Sequence, residues 1–280
     1  FFYFIEYKYK KKIIFEHDIL KAFSSFSDQN NWLVASQKTQ LKEFLDSEIQ
    51  TKKIKGLITE FGYGLVKKCG RVSTPKLINE FKKNLKDNYI KQDFDFKKLF
   101  YDHTKIVYNN IISQNIVFCE GYSIINNPFF KNLPVRGSKG EFLVVKIPNL
   151  NLDKIIKRSS IFIMPMENQF YWVGATYDNS DKKNRPTQLK KQWLIDRLES
   201  IIKEPYKIVE HKASIRPTTI DRRPITGSHP NYKNIYLLNG LGSRGILLAP
   251  TISSWLYSHI YESSPIPKEV DIKRFKDNNS

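Results

Sequence analysis

Apolar residues recur along this chain at two spacings, and the change of spacing marks its parts. Residues 1–60 mix short apolar stretches with helical periodicity. KKIIFEHDILKAF (11–23) reads as a strand and its continuation, Ser27 and Asp28 are candidate caps for a helix beginning near Asn30, and LKEFLDSEIQ (41–50) is amphipathic. In GRVSTPKLINEFKKNLKDNY (70–89), Gly70 marks a turn, Ser73 an N-cap and Pro75 the first helical turn, with Leu77, Ile78, Phe81 and Leu85 following at helix spacing. Residues 93–121 give three short strand candidates. The last, NIVFCEG, is a continuous apolar run ending at Gly121, as a buried strand of an α/β sheet ends at a turn.

From 133 to 180 the period falls to two. VRGSKGEFLVVKIP, IFIMPME and QFYWVGATYD read as successive strands of a mainly antiparallel sheet. QLKKQWLIDRLESIIK (188–203) is an amphipathic helix carrying Leu189, Trp193, Leu194, Leu198 and Ile201 on one face. The strand YKIVEHKASIRP, the loop TTIDRRPITGSHPNYK, the strand NIYLLNG and the helix GILLAPTISSWLYSHIY complete the order. No internal repeat and no low-complexity linker interrupts it. The pattern predicts an α/β (α+β) chain of two domains, the α/β one assembled from separated segments.

Composition narrows the function classes. The 280 residues are 40% hydrophobic and 14% aromatic, enough for a sizeable core. Two cysteines, Cys69 and Cys119, give no disulfide framework and fit a reducing, cytoplasmic compartment; no zinc-type spacing exists, so no metal is expected. The net charge of +18 is mostly lysine spread along the whole chain, which reads as solvated faces and disfavours, without removing, a nucleic-acid partner. No uncharged apolar run is long enough to span a bilayer. The opening FFYFIEYKYKKK places its lysines after the apolar run, unlike a signal peptide, and it lacks an initiator Met, so the chain is expected to begin part-way through a longer protein.

The candidate chemistry lies in GLGSRGILLAP (240–250), a glycine-rich turn between a strand and a helix. Backbone N–H groups at a helix start point outward, the helix dipole is positive there, and glycines admit a ligand to the backbone. The turn therefore suits a phosphate or another electron-rich group, or it is a tight βα turn with no ligand. In SIRPTTIDRRPITG (214–227), Arg216 precedes Pro217 at the end of a predicted strand, placed to grip a carboxylate bidentately. The plain alternative is a structural ion pair with Asp221 or Glu210.

Together these residues resemble the C-terminal signature of the D-amino-acid oxidase superfamily of FAD-dependent oxidoreductases, glycine-oxidase-like bacterial members in particular. The family's RP-x-T-x-D-x-x-P-x-x-G loop corresponds to Arg216, Pro217, Thr219, Asp221, Pro224 and Gly227. Its G-x-G-x-x-G turn and AP helix opening correspond to Gly240, Gly242, Gly245, Ala249 and Pro250. GRVSTPKLINEF, NIVFCEG, LPVRGSKGEFLVV and YWVGATYD resemble further family segments in the same order, so the likeness covers nearly the whole chain. One departure is that the family's opening strand, G-x-G-x-x-G and helix, which cradle the FAD pyrophosphate, have no counterpart after Phe1.

The resemblance implies an FAD-binding Rossmann-like domain lacking its N-terminal βαβ unit (66–125 and 216–275), interleaved with a mainly antiparallel substrate domain (1–65 and 126–215). It implies oxidation of the C–N bond of an amino acid or small amine by hydride transfer to flavin N5, giving an imine that hydrolyses. Alternatives are an oxidase acting on a modified tRNA wobble uridine, and an inactive fragment. Arg216 would anchor the substrate carboxylate. Arg244 would bind substrate, hold flavin or pair structurally, since glycine oxidase carries its arginine one position earlier, where Ser243 stands here. Flavin contacts are expected at Gly121, Gly240, Gly242, Ser243, Arg244, Gly245 and Ile246. Ser214 and Ile215 stand where covalent members of the superfamily carry a cysteine, so the FAD would be non-covalent. Tyr171, Trp172 and Tyr177 are pocket candidates, though aromatics at strand spacing are more often core, while His211 and His229, which flank the loop, read as surface residues.

Overall fold

A computed structural model describes residues 1–278. In chain order the elements are α1 (Phe2–Tyr9), β1 (Ile14–Glu16), β2 (Ile19–Ala22), α2 (Phe26–Ser36), β3 (Leu45–Gln50), β4 (Tyr63–Val66), β5 (Gly70–Val72) and α3 (Thr74–Leu85). Four short strands follow: β6 (Leu99–Tyr101), β7 (Ile106–Tyr108), β8 (Ile111–Ser113) and β9 (Ile116–Phe118). Then come β10 (Val135–Lys146), β11 (Ile155–Arg158), β12 (Ile161–Pro165), β13 (Phe170–Gly174), α4 (Gln188–Glu199), β14 (Lys207–Thr219), β15 (Ile225–Ser228), β16 (Ile235–Asn239) and α5 (Gly245–Glu262). The chain divides into two compact units. The first comprises residues 1–86, 140–177 and 184–214; the second comprises 87–139, 178–183 and 215–280.

The first unit is built on a sheet of order β14-β10-β13-β12-β11-β2-β4-β3. The pairings of β10 with β13, β13 with β12, β12 with β11, and β2 with β4 are antiparallel, whereas β11 runs parallel to β2. Alternation fixes which face is buried: along β12, Ile161, Ile163 and Pro165 are buried and Phe162 and Met164 are half-buried. Leu143, Val145, Ile156, Ile163 and Val173 are fully buried with Leu194 and Leu198 of α4 in one core. Each such side chain contributes about 1.5–3 kcal/mol of burial. At the other end of the sheet the Trp32 ring packs on Gly64 of β4, and its Nε1 donates to the Asp46 carbonyl at 2.9 Å.

In the second unit β6, β7 and β8 form an antiparallel meander, and a separate sheet runs β15-β16-β9. The β6–β7 turn is closed by Asp102, whose Oδ1 accepts the Thr104 and Lys105 N–H groups at 2.7 and 2.9 Å. Those bonds and the Thr104 hydroxyl hold the Asp102 carboxyl at a pKa of about 2. β16 pairs antiparallel with β15 and parallel with β9. Ile225, Ile235 and Leu237 are fully buried with Phe118, Ile124 and Phe130, while Ile252 and Leu256 of α5 bury against Tyr236.

Several local expectations are corrected. The α2 cap is Ser25, whose hydroxyl accepts the Asp28 N–H, so the helix starts at Phe26 rather than near Asn30. The amphipathic stretch 41–50 is a turn followed by β3, because pairing with β4 claims its second half. β11 was not anticipated: its four residues carry two charges and show no alternation outside their pairing. Four strands, not three, occupy 99–118. On α4, Leu189 is 76% exposed, and α3 buries none of its residues.

The Trp32–Gly64 contact leaves no room for a methyl group, because a Cβ at residue 64 would fall within the indole. Gly64→Ala should destabilise the protein by about 1–3 kcal/mol, read as a lower urea midpoint with an unchanged slope.

Candidate active site

The site candidates of the second unit gather at the carboxyl ends of two parallel strands, where open α/β sheets leave a crevice. β9 ends at Phe118 and leads to Gly121, and β16 ends at Asn239 and leads to Gly240. Asn239, 3% exposed, ties the two ends together. Its Nδ2 donates to the Gly121 carbonyl at 2.9 Å, and its Oδ1 accepts the Gly240 N–H at 2.8 Å. Gly121 has φ +60°, and a Cβ there would meet nothing within 4 Å, so its open side faces free space.

The turn after β16 needs its glycines for two different reasons. Gly240 has φ +70°, and a Cβ would lie 2.8 Å from Thr219 Cγ2; Gly242 has φ +58°, with Thr218 Cγ2 3.3 Å away. Both threonines belong to the strand that carries Arg216, and Thr218 forms an isolated antiparallel bridge with Leu241. Gly242–Arg244 make a 3-10 turn that runs directly into α5, whose N-terminus has no side-chain cap. Ser243, Arg244 and Ile246 are exposed there. The bare, positive end of α5 therefore faces outward beside the Arg216 strand.

Arg216 is half-buried on β14, two residues before Thr218 and so on the same face of the strand. The carboxylates offered as its structural partners each have another cation beside them. Arg274 grips Asp221 bidentately, Nε to Oδ2 at 2.9 Å and Nη2 to Oδ1 at 3.3 Å, and Lys212 pairs with Glu210 at 2.7 Å. Burial alone would raise the Asp221 carboxyl, but its bonds from Arg274 and from the Arg223 N–H outweigh that and hold it below the usual range. Arg244 donates from Nη2 to the Arg222 carbonyl at 3.3 Å, which ties the turn to the loop after β14.

The aromatic candidates of the first unit divide. Tyr171 is a core residue: it is 3% exposed, and its hydroxyl donates to the Leu150 carbonyl at 2.6 Å. Trp172 is half-buried against Phe142, with ring centroids 5.3 Å apart, and Tyr177 is 61% exposed. His211 is not a surface residue: its side chain is 14% exposed. It lies on β14, with Nε2 2.9 Å from Glu141 Oε2, and that carboxylate is 1% exposed and also accepts the Thr187 N–H at 2.8 Å. His229 does lie after β15, where its Nδ1 accepts the Asn231 N–H at 3.1 Å.

The profile of one family, described as FAD dependent oxidoreductase, matches residues 16–258. The chain belongs to this FAD-dependent oxidoreductase family. A tRNA 5-methylaminomethyl-2-thiouridine biosynthesis bifunctional protein of Legionella pneumophila (strain Corby) is 23% identical over 261 residues, 82% of this chain and 39% of that protein. A glycine oxidase of Bacillus licheniformis is 31% identical over 140 residues, 49% of this chain and 37% of that protein. The chain thus spans about two fifths of the length of these relatives. The crystal structure of glycine oxidase from Geobacillus kaustophilus superposes with a TM-score of 0.76 at 18% identity, covering 94% of this chain and 76% of that one. Within the family the chain is glycine-oxidase-like, and its mixed α/β architecture is that of the FAD-binding oxidases.

FAD is the family's cofactor, and the chain's own residues fit such a group: Gly121 leaves open space over its backbone, and Ser243 and Arg244 are exposed at an uncapped helix start. Among the described residues no helix is long and apolar enough to cross a membrane.

The Arg274–Asp221 clamp sets a pH dependence. A carboxyl whose folded pKa is depressed adds stability above its unfolded value, about 3.9, and loses it as pH falls through the folded value. Arg274→Met should therefore lower stability at pH 7 and flatten its decline below about pH 4, measured by urea unfolding across pH 2–7.

Proposed function

We propose that this chain is the catalytic part of an oxidoreductase that converts the C–N bond of an amino acid or small amine to an imine, which water then hydrolyses. The observation that carries this reading is the Thr218–Leu241 bridge. It joins the strand bearing Arg216 edge-on to the glycine turn, so that a carboxylate and an electron-rich ring can be held side by side. Glycine oxidases among both the relatives and the solved structures support a small amino-acid substrate.

When bound, FAD supplies the acceptor for the two electrons and the hydrogen that leave the substrate carbon. Gly121, Gly240, Gly242, Ser243, Arg244, Gly245 and Ile246 would hold it without a covalent bond, through backbone groups and the positive helix end. Arg216 binds and orients the substrate carboxylate, its planar fork matching both oxygens. Orientation of the reacting carbon is the chain's main contribution, and no side-chain base is assigned. Arg244 lies at the mouth of the turn, where it takes a second polar group of the substrate. The segments 66–125 and 216–275 are read as the cofactor domain, 1–65 and 126–215 as the substrate domain.

A second reading, action on a modified tRNA base, is favoured by one observation: Arg222, Arg223 and Arg244 are all exposed beside the turn, a cationic rim suited to phosphates. The tRNA-modifying bifunctional proteins among the relatives support it as well. Retention of tRNA that vanishes between about 50 and 200 mM salt would favour this reading; no retention at low salt removes it.

The test of the first reading is FAD titration followed by anaerobic bleaching of the flavin absorbance with glycine, sarcosine and related amines. It uses the chain together with whatever its reading frame encodes upstream of Phe1. Arg216→Ala should lower kcat/KM for carboxylate-bearing amines by about 100-fold, the effect of removing a charged hydrogen-bond pair, while FAD still binds. Failure of every small amine to bleach the flavin overturns the reading.

A further inference from the structure

Lys139 is a lysine with a 1% exposed side chain, and neither the cofactor turn nor the substrate anchor accounts for it. It lies at the point where β10 is flanked on both edges within the second unit. Even-numbered positions face the Arg216 strand: the Thr218 hydroxyl donates to the Arg136 carbonyl at 2.8 Å. Odd-numbered positions face the segment 178–183, which lies along the opposite edge. The Lys139 N–H donates to the Asp178 carbonyl at 2.7 Å, the Asp178 N–H returns to the Lys139 carbonyl at 2.9 Å, and Lys182 Nζ donates to the Gly137 carbonyl at 2.5 Å. Gly137 in turn lies directly under Ile215, the neighbour of Arg216: a Cβ there would be 2.7 Å from Ile215 Cγ2.

The segment is too short to hold this edge by apolar burial. Its own bonds are Asx turns: Asp178 Oδ1 accepts the Ser180 and Asp181 N–H groups at 2.9 and 3.1 Å, and Asp181 Oδ1 accepts the Lys183 N–H at 2.8 Å. Beside its backbone bonds to β10, an ion pair joins it to the interior, Lys139 Nζ to Asp181 Oδ2 at 2.6 Å. The ammonium is buried while the carboxylate is 28% exposed, so removing the carboxylate costs the buried lysine a charge partner that water does not replace.

We propose that Lys139 and Asp181 form a positioning pair for Arg216: their ion pair latches the strap 178–183 onto β10, and β10 so held fixes the strand that carries the arginine. The inference rests on Arg216 acting as the carboxylate anchor. The ion pair adds to the backbone bonds only when both charges are present, and it opens from the Asp181 side, which water reaches.

Hydrogen exchange on the 280-residue chain is compared for the native protein, Lys139→Met, Asp181→Asn and Asp181→Glu. The latch requires that Lys139→Met and Asp181→Asn raise exchange about tenfold or more at both 178–183 and 215–219. The strands of the first unit stay protected, and Asp181→Glu restores the native pattern. In the flavin-loaded protein, the first two variants should raise KM for glycine about tenfold with kcat within about twofold. Unchanged exchange at 178–183 overturns the latch. Exchange that rises at 178–183 but not at 215–219 overturns the positioning role. If no amine is oxidised by any variant, including native, the amine-oxidase reading fails, and the exchange at 215–219 still decides whether the pair positions that strand.

Discussion

Thr218 and Leu241 pair across a single antiparallel bridge, and the candidate site depends on it. Without the bridge, the arginine strand and the glycine turn are two surface features with no fixed relation. With it, Thr218 Cγ2 comes within 3.3 Å of the space above Gly242 and Thr219 Cγ2 within 2.8 Å of that above Gly240, so any larger residue at either position would push the two apart. The positive φ values of both glycines bend the chain out of β16 and into the 3-10 turn within three residues. Glycine at these positions answers the conformational demand and the close approach together.

Charge follows from that arrangement. The uncapped start of α5 and the exposed Arg244 make the turn electropositive. Asp221, the carboxylate nearest in sequence to the arginines of this loop, is withdrawn by Arg274. On the proposed reading, the pairing keeps one acidic group from competing with a substrate carboxylate for the neighbouring guanidinium groups. Asn239 performs the corresponding task for the backbone, since its side-chain amide spends both of its functions on joining the ends of β9 and β16.

Much of this was legible before the fold. NIYLLNG, the turn and the following helix announce themselves by a period change across three glycines, and the long period-two run of 135–174 announces the sheet. The Arg216 loop was readable because arginine before proline is a local pattern. What escaped notice depends on distant partners. Glu141, Thr187 and His211 come from three separate segments, and nothing in the strand spacing around His211 signals a buried carboxylate beside it. The strap 178–183 reads as a polar turn, and Lys139 as one more lysine in a chain full of them. β11 is four residues long and owes its strand conformation to neighbours on both sides. Short polar segments carry too few periods for their pairing to be read from spacing.

The two cationic residue types are distributed differently. Lysines run from one end of the chain to the other, as a biased composition would scatter them. Of the ten arginines, none precedes residue 71, and six, Arg136, Arg216, Arg222, Arg223, Arg244 and Arg274, belong to the second unit, where several are joined by bonds already described. A net charge needs only a point charge, which lysine supplies. A planar acceptor such as a carboxylate needs a planar fork, and so does a bidentate clamp on Asp221. Arginine in a lysine-rich chain is thus the better marker of recognition. By that measure, charge alone carries little information on what the protein binds, while the placement of Arg216 and Arg244 on either side of one bridge carries a good deal.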